Sequence, residues 1–226
     1  MRNSWFEKAV AEFIGTFALI FIGAGSICLD AFTGGGVGLV GIAFAHGLAI
    51  AVMVSASLHV SGGHFNPSVT ISMLSTGKIG PVLGIVYIVS QLLGAASAAL
   101  ALKGLFPASA WQAVNLGTPA LAEGVSLWAG IGIEFVLTFF LVYVIWGTAV
   151  DKRGPAQVAG LAIGLTIVLD ILAGGGLTGA AMNPARAFGP ALAGGFWSGQ
   201  LVYWVGPILG GLVAGFIYNG FMLKNN

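Results

Sequence analysis

The sequence predicts an all-α membrane protein: six transmembrane helices plus two re-entrant half-helices, arranged as an inverted 3+3 repeat. Three observations predict it. Of 226 residues, 58% are hydrophobic and 7% charged, with a mean hydropathy of +0.99, whereas a soluble domain carries about 25% charged residues. Apolar stretches recur six times at a length that crosses a bilayer. Two further apolar pieces, both too short to cross, each begin with Asn-Pro.

A spanning helix needs about 20 mostly apolar residues. Stretches 9–29, 37–58, 81–103, 125–150, 156–173 and 200–222 supply them, and the breaks between hold the Gly clusters, the prolines and most charges. Arg2 and Lys8 precede the first stretch as they would in a signal peptide. That stretch is long, has no clear cleavage site and is followed by more of its kind, so it is a first membrane helix. Basic residues orient the chain. With both termini cytoplasmic, Arg2, Lys8, Lys78, Lys152, Arg153 and Lys224 face the cytoplasm and only Lys103 falls outside, Arg186 lying within an apolar region. The expected location is a multi-pass protein of the cell (plasma) membrane. The lipid bilayer is its solvent, and a net charge of +1 points away from nucleic acid.

Pieces 66–75 and 183–192 are about ten residues each, which rise ~15 Å against a hydrocarbon core of ~30 Å. Each can reach the midplane and stop, as a re-entrant half-helix does. The halves of the chain also echo each other. Ala11-Glu12-Phe13-Ile14-Gly15-Thr16-Phe17 matches Ile133-Glu134-Phe135-Val136-Leu137-Thr138-Phe139, and the run from Ser61 to Ser68 matches that from Thr178 to Ala185. Three spans per half is an odd number, so the second half enters from the opposite side. The chain is therefore expected to be a single transmembrane domain over 1–226, with repeat 1 at about 1–104, a connecting loop at about 104–124 and repeat 2 at about 125–226.

Asn is a preferred N-cap, and Pro at the next position needs no N–H. One Asn-Pro is an ordinary helix start. Two at matched places of an inverted repeat bring Asn66-Pro67-Ser68 and Asn183-Pro184-Ala185 together near the midplane. A capping Asn uses its oxygen and leaves amide donors for the passage, and both half-helix dipoles point their positive ends there. The preceding loops, Gly62, Gly63, His64 and Phe65, then Gly179, Ala180, Ala181 and Met182, are expected to line the passage with carbonyls. Glu12 and Glu134 lie inside membrane helices, where a proton relay is one reading. Their placement in both repeats favours bracing the neighbouring loop by accepting its N–H groups, and Gln91 fits a similar role.

Other residues carry less. The single Cys28 excludes an internal disulfide and a Cys-based metal cage. No metal site, cofactor or nucleophile–base pair is present, so the chain is not an enzyme. His59 is placed near the inner mouth, and Asp170 is expected to face away from the passage. Trp5, Trp111, Trp128, Trp197, Tyr203 and Trp204 fit interfacial anchoring or packing.

These residues resemble the aquaporin (major intrinsic protein) family over almost the whole chain. The resemblance rests on the run from Ala11 to Thr16, Ser61 to Thr70, Gln91, Glu134, Asn183-Pro184-Ala185-Arg186 and Trp204 to Pro207. One departure is Ser68 in the first box, where the family has Ala. The resemblance implies an aquaporin-like fold, a homotetramer with one pore per subunit, and a selectivity constriction of His46, Ile171, Ala180 and Arg186. His on the second helix with Ile on the fifth looks like the plant vacuolar-membrane (tonoplast intrinsic) subfamily. Ala187, where glycerol facilitators carry Asp, argues against that class.

The implied function is a passive water channel that conducts in single file and excludes protons and ions, with small neutral solutes also passing. Alternatives are a channel mainly for ammonia, urea or hydrogen peroxide, an ion-coupled secondary transporter, and a junction protein with little flux. Neutral amides at the midplane disfavour the transporter, and intact Asn66, Asn183 and Arg186 disfavour the junction protein.

Overall fold

A computed structural model describes residues 4–223; Arg2 and Lys224 lie outside the described residues. In chain order the helices are α1 (Trp5–Phe32), α2 (Gly38–Ser57), α3 (Pro67–Ser75), α4 (Pro81–Leu105), the short α5 (Ala108–Trp111), α6 (Leu127–Ile145), α7 (Ala159–Thr178), α8 (Pro184–Gly194) and α9 (Val202–Ile217). No strand occurs among the described residues. Six helices are long and apolar enough to cross a membrane: α1, α2, α4, α6, α7 and α9. Helices α6 and α9 each continue through a π-type turn, at Trp146–Val150 and Tyr218–Met222.

Local chemistry sets the helix starts. Ser4 and Glu7 form a reciprocal capping box at α1. Ser126 caps α6 by accepting from Ala129 N. Helix α2 has no cap of its own. Asp30 Oδ1, from the end of α1, accepts from Val37 N at 3.0 Å and Gly38 N at 2.7 Å instead.

The largest difference from expectation is at the fifth span. Stretch 156–173 is predicted to end before the Gly cluster, yet α7 runs through Gly174-Gly175-Gly176 to Thr178 and stops at Gly179 with φ +85°. Packing overrides the weak helix propensity of glycine: a Cβ on Gly174 would lie 2.6 Å from the Leu137 side chain. Helix α1 likewise extends beyond 9–29 at both ends.

The halves interlock. Helix α1 packs on α4, α6 on α9, and α2 on α7 across the pseudo-twofold. Half-helix α3 of the first half lies against α9 of the second, while α8 lies against α4. Glycines permit the close crossings. A Cβ on Gly94 would stand 2.4 Å from Phe13 O and one on Gly210 would stand 2.2 Å from Phe135 O, matched contacts in the two repeats. Gly47 and Gly164 face each other's carbonyls in the same way. Large apolar side chains, among them Ile22, Val52, Ile85, Leu169 and Phe216, remain exposed on the outside, where lipid replaces water as solvent.

With six spanning helices, the first and last described residues, Ser4 and Leu223, lie on one side of the bundle, called the inner end here. There Asp151 accepts from Arg153 Nε at 2.9 Å and from Tyr218 Oη at 3.2 Å, while Arg153 Nη2 donates to Met222 O at 2.7 Å. The Arg153 hydrogen bonds hold the Asp151 carboxyl well below the usual carboxylate range, so this latch between the α6–α7 loop and the end of α9 stays ionised at neutral pH.

Candidate functional site

The site begins with two equivalent local structures. Asn66 and Asn183 sit in extended backbone, φ −155° and −153°, each just before a half-helix whose first residue is Pro67 or Pro184. Asn66 Oδ1 accepts from Ser68 N at 2.8 Å, and Asn183 Oδ1 from Ala185 N at 3.0 Å and Arg186 N at 3.3 Å. The amide nitrogens do something the sequence does not suggest. Asn66 Nδ2 donates to Met182 O at 2.8 Å, and Asn183 Nδ2 donates to Phe65 O at 2.9 Å. Each Asn thus closes on the carbonyl preceding the other. The expectation of uncommitted amide donors is corrected: one N–H of each crosses the pseudo-twofold and the second is left at a residue that borders the central cavity.

Two buried carboxylates hold the loops in front of these boxes. Glu12 Oε1 accepts from Ser61 Oγ at 2.7 Å and His64 N at 2.9 Å, and Oε2 from Phe65 N at 2.6 Å and Gln91 Nε2 at 2.8 Å. Glu134 Oε1 accepts from Thr178 Oγ1 at 2.7 Å and Ala181 N at 2.9 Å, and Oε2 from Met182 N at 2.7 Å. The fourth donor is missing because Gln91 has no counterpart in repeat 2. The loops need this support. Phe65, Ala180 and Met182 have φ of +50°, +43° and +53°, a left-handed conformation that costs a non-glycine residue about 1–2 kcal/mol.

Three cavities lie in series through the molecule. The central one is lined by Asn66, Asn183, Gly63, His64, Ala180, Ala181 and Met182 together with the apolar Leu19, Ile50, Val54, Ile163 and Ile167. An outer vestibule of about 840 Å³ meets it at His46, Ile171 and Arg186, which border both. Ala180 borders the central cavity next to this junction and Gly179 the vestibule. An inner vestibule of about 820 Å³, reached by Gly62, meets the central cavity at His64 and Ile145. Phe65 departs from the expected carbonyl lining. It borders none of the three; its carbonyl is taken by Asn183 and its ring fills the space over Gly15.

Arg186 is 2% exposed, and its Nη1 donates to Gly117 O at 2.8 Å while Nε has no protein partner. Gly117 belongs to the connecting loop, which folds back over the outer vestibule with Asn115 and Leu116 in left-handed backbone. His46 Nδ1 lies 2.9 Å from Ile42 O. A carbonyl only accepts, so Nδ1 carries the proton, and in the neutral ring Nε2 is an acceptor. Asp170 is buried and borders none of the three cavities.

Several positioning residues are not legible in the sequence. Tyr87 Oη donates to Ser61 O at 2.6 Å and Tyr203 Oη to Thr178 O at 2.8 Å, a matched pair that buttresses the two loops. Tyr203 is fully buried, which leaves packing rather than interfacial anchoring as its role. The repeat register could have found this pair, since each Tyr follows its Asn-Pro box at nearly the same distance. Nothing in the sequence points to Gly117.

Residues 1–218 match the model of the family described as Major intrinsic protein. The chain belongs to that family. It is 44% identical to Aquaporin TIP4-4 of Zea mays, covering 96% of this chain and 87% of that protein. It is 47% identical to Probable aquaporin TIP3-2 of Arabidopsis thaliana, covering 97% and 85%. A solved structure, the aquaglyceroporin from Plasmodium falciparum, superposes with a TM-score of 0.85 over 97% of each chain at 26% identity. Family members are channels rather than enzymes, and this is a multi-pass membrane protein. The relatives' names carry the TIP label of the vacuolar-membrane subfamily, so the expected plasma-membrane location finds no support in them.

Proposed function

We propose that this chain is a passive water channel, with a single-file passage that also admits small neutral solutes. The observation that carries the proposal is the pair of opposed half-helix N-termini at Asn66 and Asn183, locked to each other and bordering a cavity that shares lining residues with a vestibule at each end. Each helix N-terminus is equivalent to about +0.5 charge. A water molecule at that point turns its oxygen toward the remaining Asn N–H groups, which breaks the hydrogen-bond chain a proton would follow. Cations meet the same positive potential, and a second one at Arg186.

In this reading His46, Ile171, Ala180 and Arg186 form the selectivity constriction, and the carbonyls of the Gly-rich loops serve as acceptors along the apolar wall. Glu12 and Glu134 brace rather than relay protons, since their oxygens are occupied by loop donors. The homotetramer, the cytoplasmic termini and the particular membrane belong to the same proposal. Of the described basic residues, Lys8, Lys78, Lys152 and Arg153 lie toward the inner end and, Arg186 apart, only Lys103 lies toward the other, which supports the inner end as cytoplasmic.

Ile171 is the residue that admits solutes beyond water. It is apolar and borders both the central cavity and the outer vestibule. Ile171→His places a polar ring there. The expected result in proteoliposomes is water flux retained within about twofold and urea or ammonia passage reduced about tenfold, the equivalent of ~1.4 kcal/mol in barrier. Equal solute passage in wild type and variant would remove Ile171 from the constriction.

A further inference from the structure

Gly23 lies near the middle of α1, where glycine is destabilising by about 1 kcal/mol relative to alanine. Its place there has a packing reason. A Cβ at Gly23 would stand 2.4 Å from Cδ2 and 2.5 Å from Nε2 of His46, closer than nonbonded atoms tolerate. The imidazole thus occupies a notch in α1 that only glycine leaves. Its Nδ1–H is tied to Ile42 O. The open space beside the ring is the junction between central cavity and outer vestibule, shared with Ile171 and Arg186. A ring expelled from the notch moves into the passage.

The inner half of the molecule shows the alternative. The register that matches Glu12 to Glu134 pairs Gly23 with Ile145, and the register that matches Asn66 to Asn183 pairs His46 with Ile163. The reciprocal approach of Gly47 and Gly164 supports the second register. Ile145 and Ile163 both line the central cavity. A branched side chain therefore stands at the inner position equivalent to the one Gly23 leaves empty, and there is no ring to house.

We propose that Gly23 is a specificity-determining residue of the outer passage. By leaving a notch in α1, it lets His46 stand back from Arg186 and Ile171, and so sets which neutral solutes larger than water can pass. This rests on the constriction reading given above. It adds a helix that contributes none of the four constriction residues.

Water and urea permeability of proteoliposomes carrying wild type, Gly23→Ala, His46→Ala and the double variant test it. Gly23→Ala is expected to lower urea permeability about tenfold, as one methyl group inserted into a packed site forces its neighbour to move, with a smaller loss of water flux. With His46→Ala the ring is gone, and Gly23→Ala should change urea permeability less than twofold. An unchanged urea-to-water ratio in Gly23→Ala, or the same loss in the His46→Ala background, would overturn the proposal. Folded protein from the double variant where Gly23→Ala alone yields none would support the same contact; failure of both would overturn it. If His46→Ala alone leaves urea permeability at the wild-type value, the constriction reading itself fails, an outcome distinct from failure of Gly23.

Discussion

Arg186→Val is expected to admit protons and to raise urea permeability about tenfold while water flux stays within about twofold. The guanidinium is 2% exposed and borders both the central cavity and the outer vestibule. Two unit positive charges about 4 Å apart repel by ~4 kcal/mol at an effective dielectric near 20, roughly three decades in rate. Valine removes that repulsion together with the bulk of the side chain. It also strands Gly117 O, which accepts from Nη1, at a cost of about 1 kcal/mol, so the variant should fold. The half-helix dipoles remain, and the proton leak should stay well below that of an open pore. Urea and proton fluxes measured on one proteoliposome preparation decide it. If neither changes, Arg186 serves only to hold the connecting loop.

Loss of the loop braces should be more damaging than any change in the passage. Glu134→Ala leaves Thr178 Oγ1, Ala181 N and Met182 N without their acceptor. Each unpaired buried donor costs about 1–3 kcal/mol, and stabilities of folded proteins are about 5–15 kcal/mol. The expected result is a large fall in thermal stability in detergent, with little folded protein recovered. Glu12→Ala should be at least as severe, since its carboxylate accepts from four groups. Glu134→Gln keeps one acceptor oxygen and should lose less. A proton relay makes the opposite prediction, with stability unchanged in Glu134→Gln and only proton flux altered. Thermal unfolding of the three variants beside wild type separates the two.

Much of the fold and of the site is legible in the residues. Asn-Pro opening a mostly apolar piece of about ten residues is chemistry that local rules interpret directly: a cap, a preset φ, and a length that cannot span. The matched Glu12 and Glu134 runs disclose the inverted repeat, because a buried carboxylate placed twice in the same register needs the same partner twice. What stays hidden depends on the third dimension. The reciprocal bonds from Asn66 to Met182 O and from Asn183 to Phe65 O join residues more than a hundred positions apart, and backbone acceptors have no residue-type signature. Gly117 O on Arg186 is hidden for the same reason. The Gly174-Gly175-Gly176 run reads as a break because propensity favours one, whereas in the fold it is helical, with Leu137 packed against Gly174 and Leu39 against Gly175. The notch at Gly23 is invisible in a sequence where glycines are abundant.

The most direct test of the central claim is stopped-flow light scattering on proteoliposomes with an imposed pH gradient and a pH dye inside. The account predicts that wild-type vesicles shrink in an osmotic step much faster than protein-free ones while the pH gradient decays at the protein-free rate. Shrinkage no faster than in protein-free vesicles, or rapid water flux accompanied by collapse of the gradient, would contradict a water passage guarded by Asn66, Asn183 and Arg186.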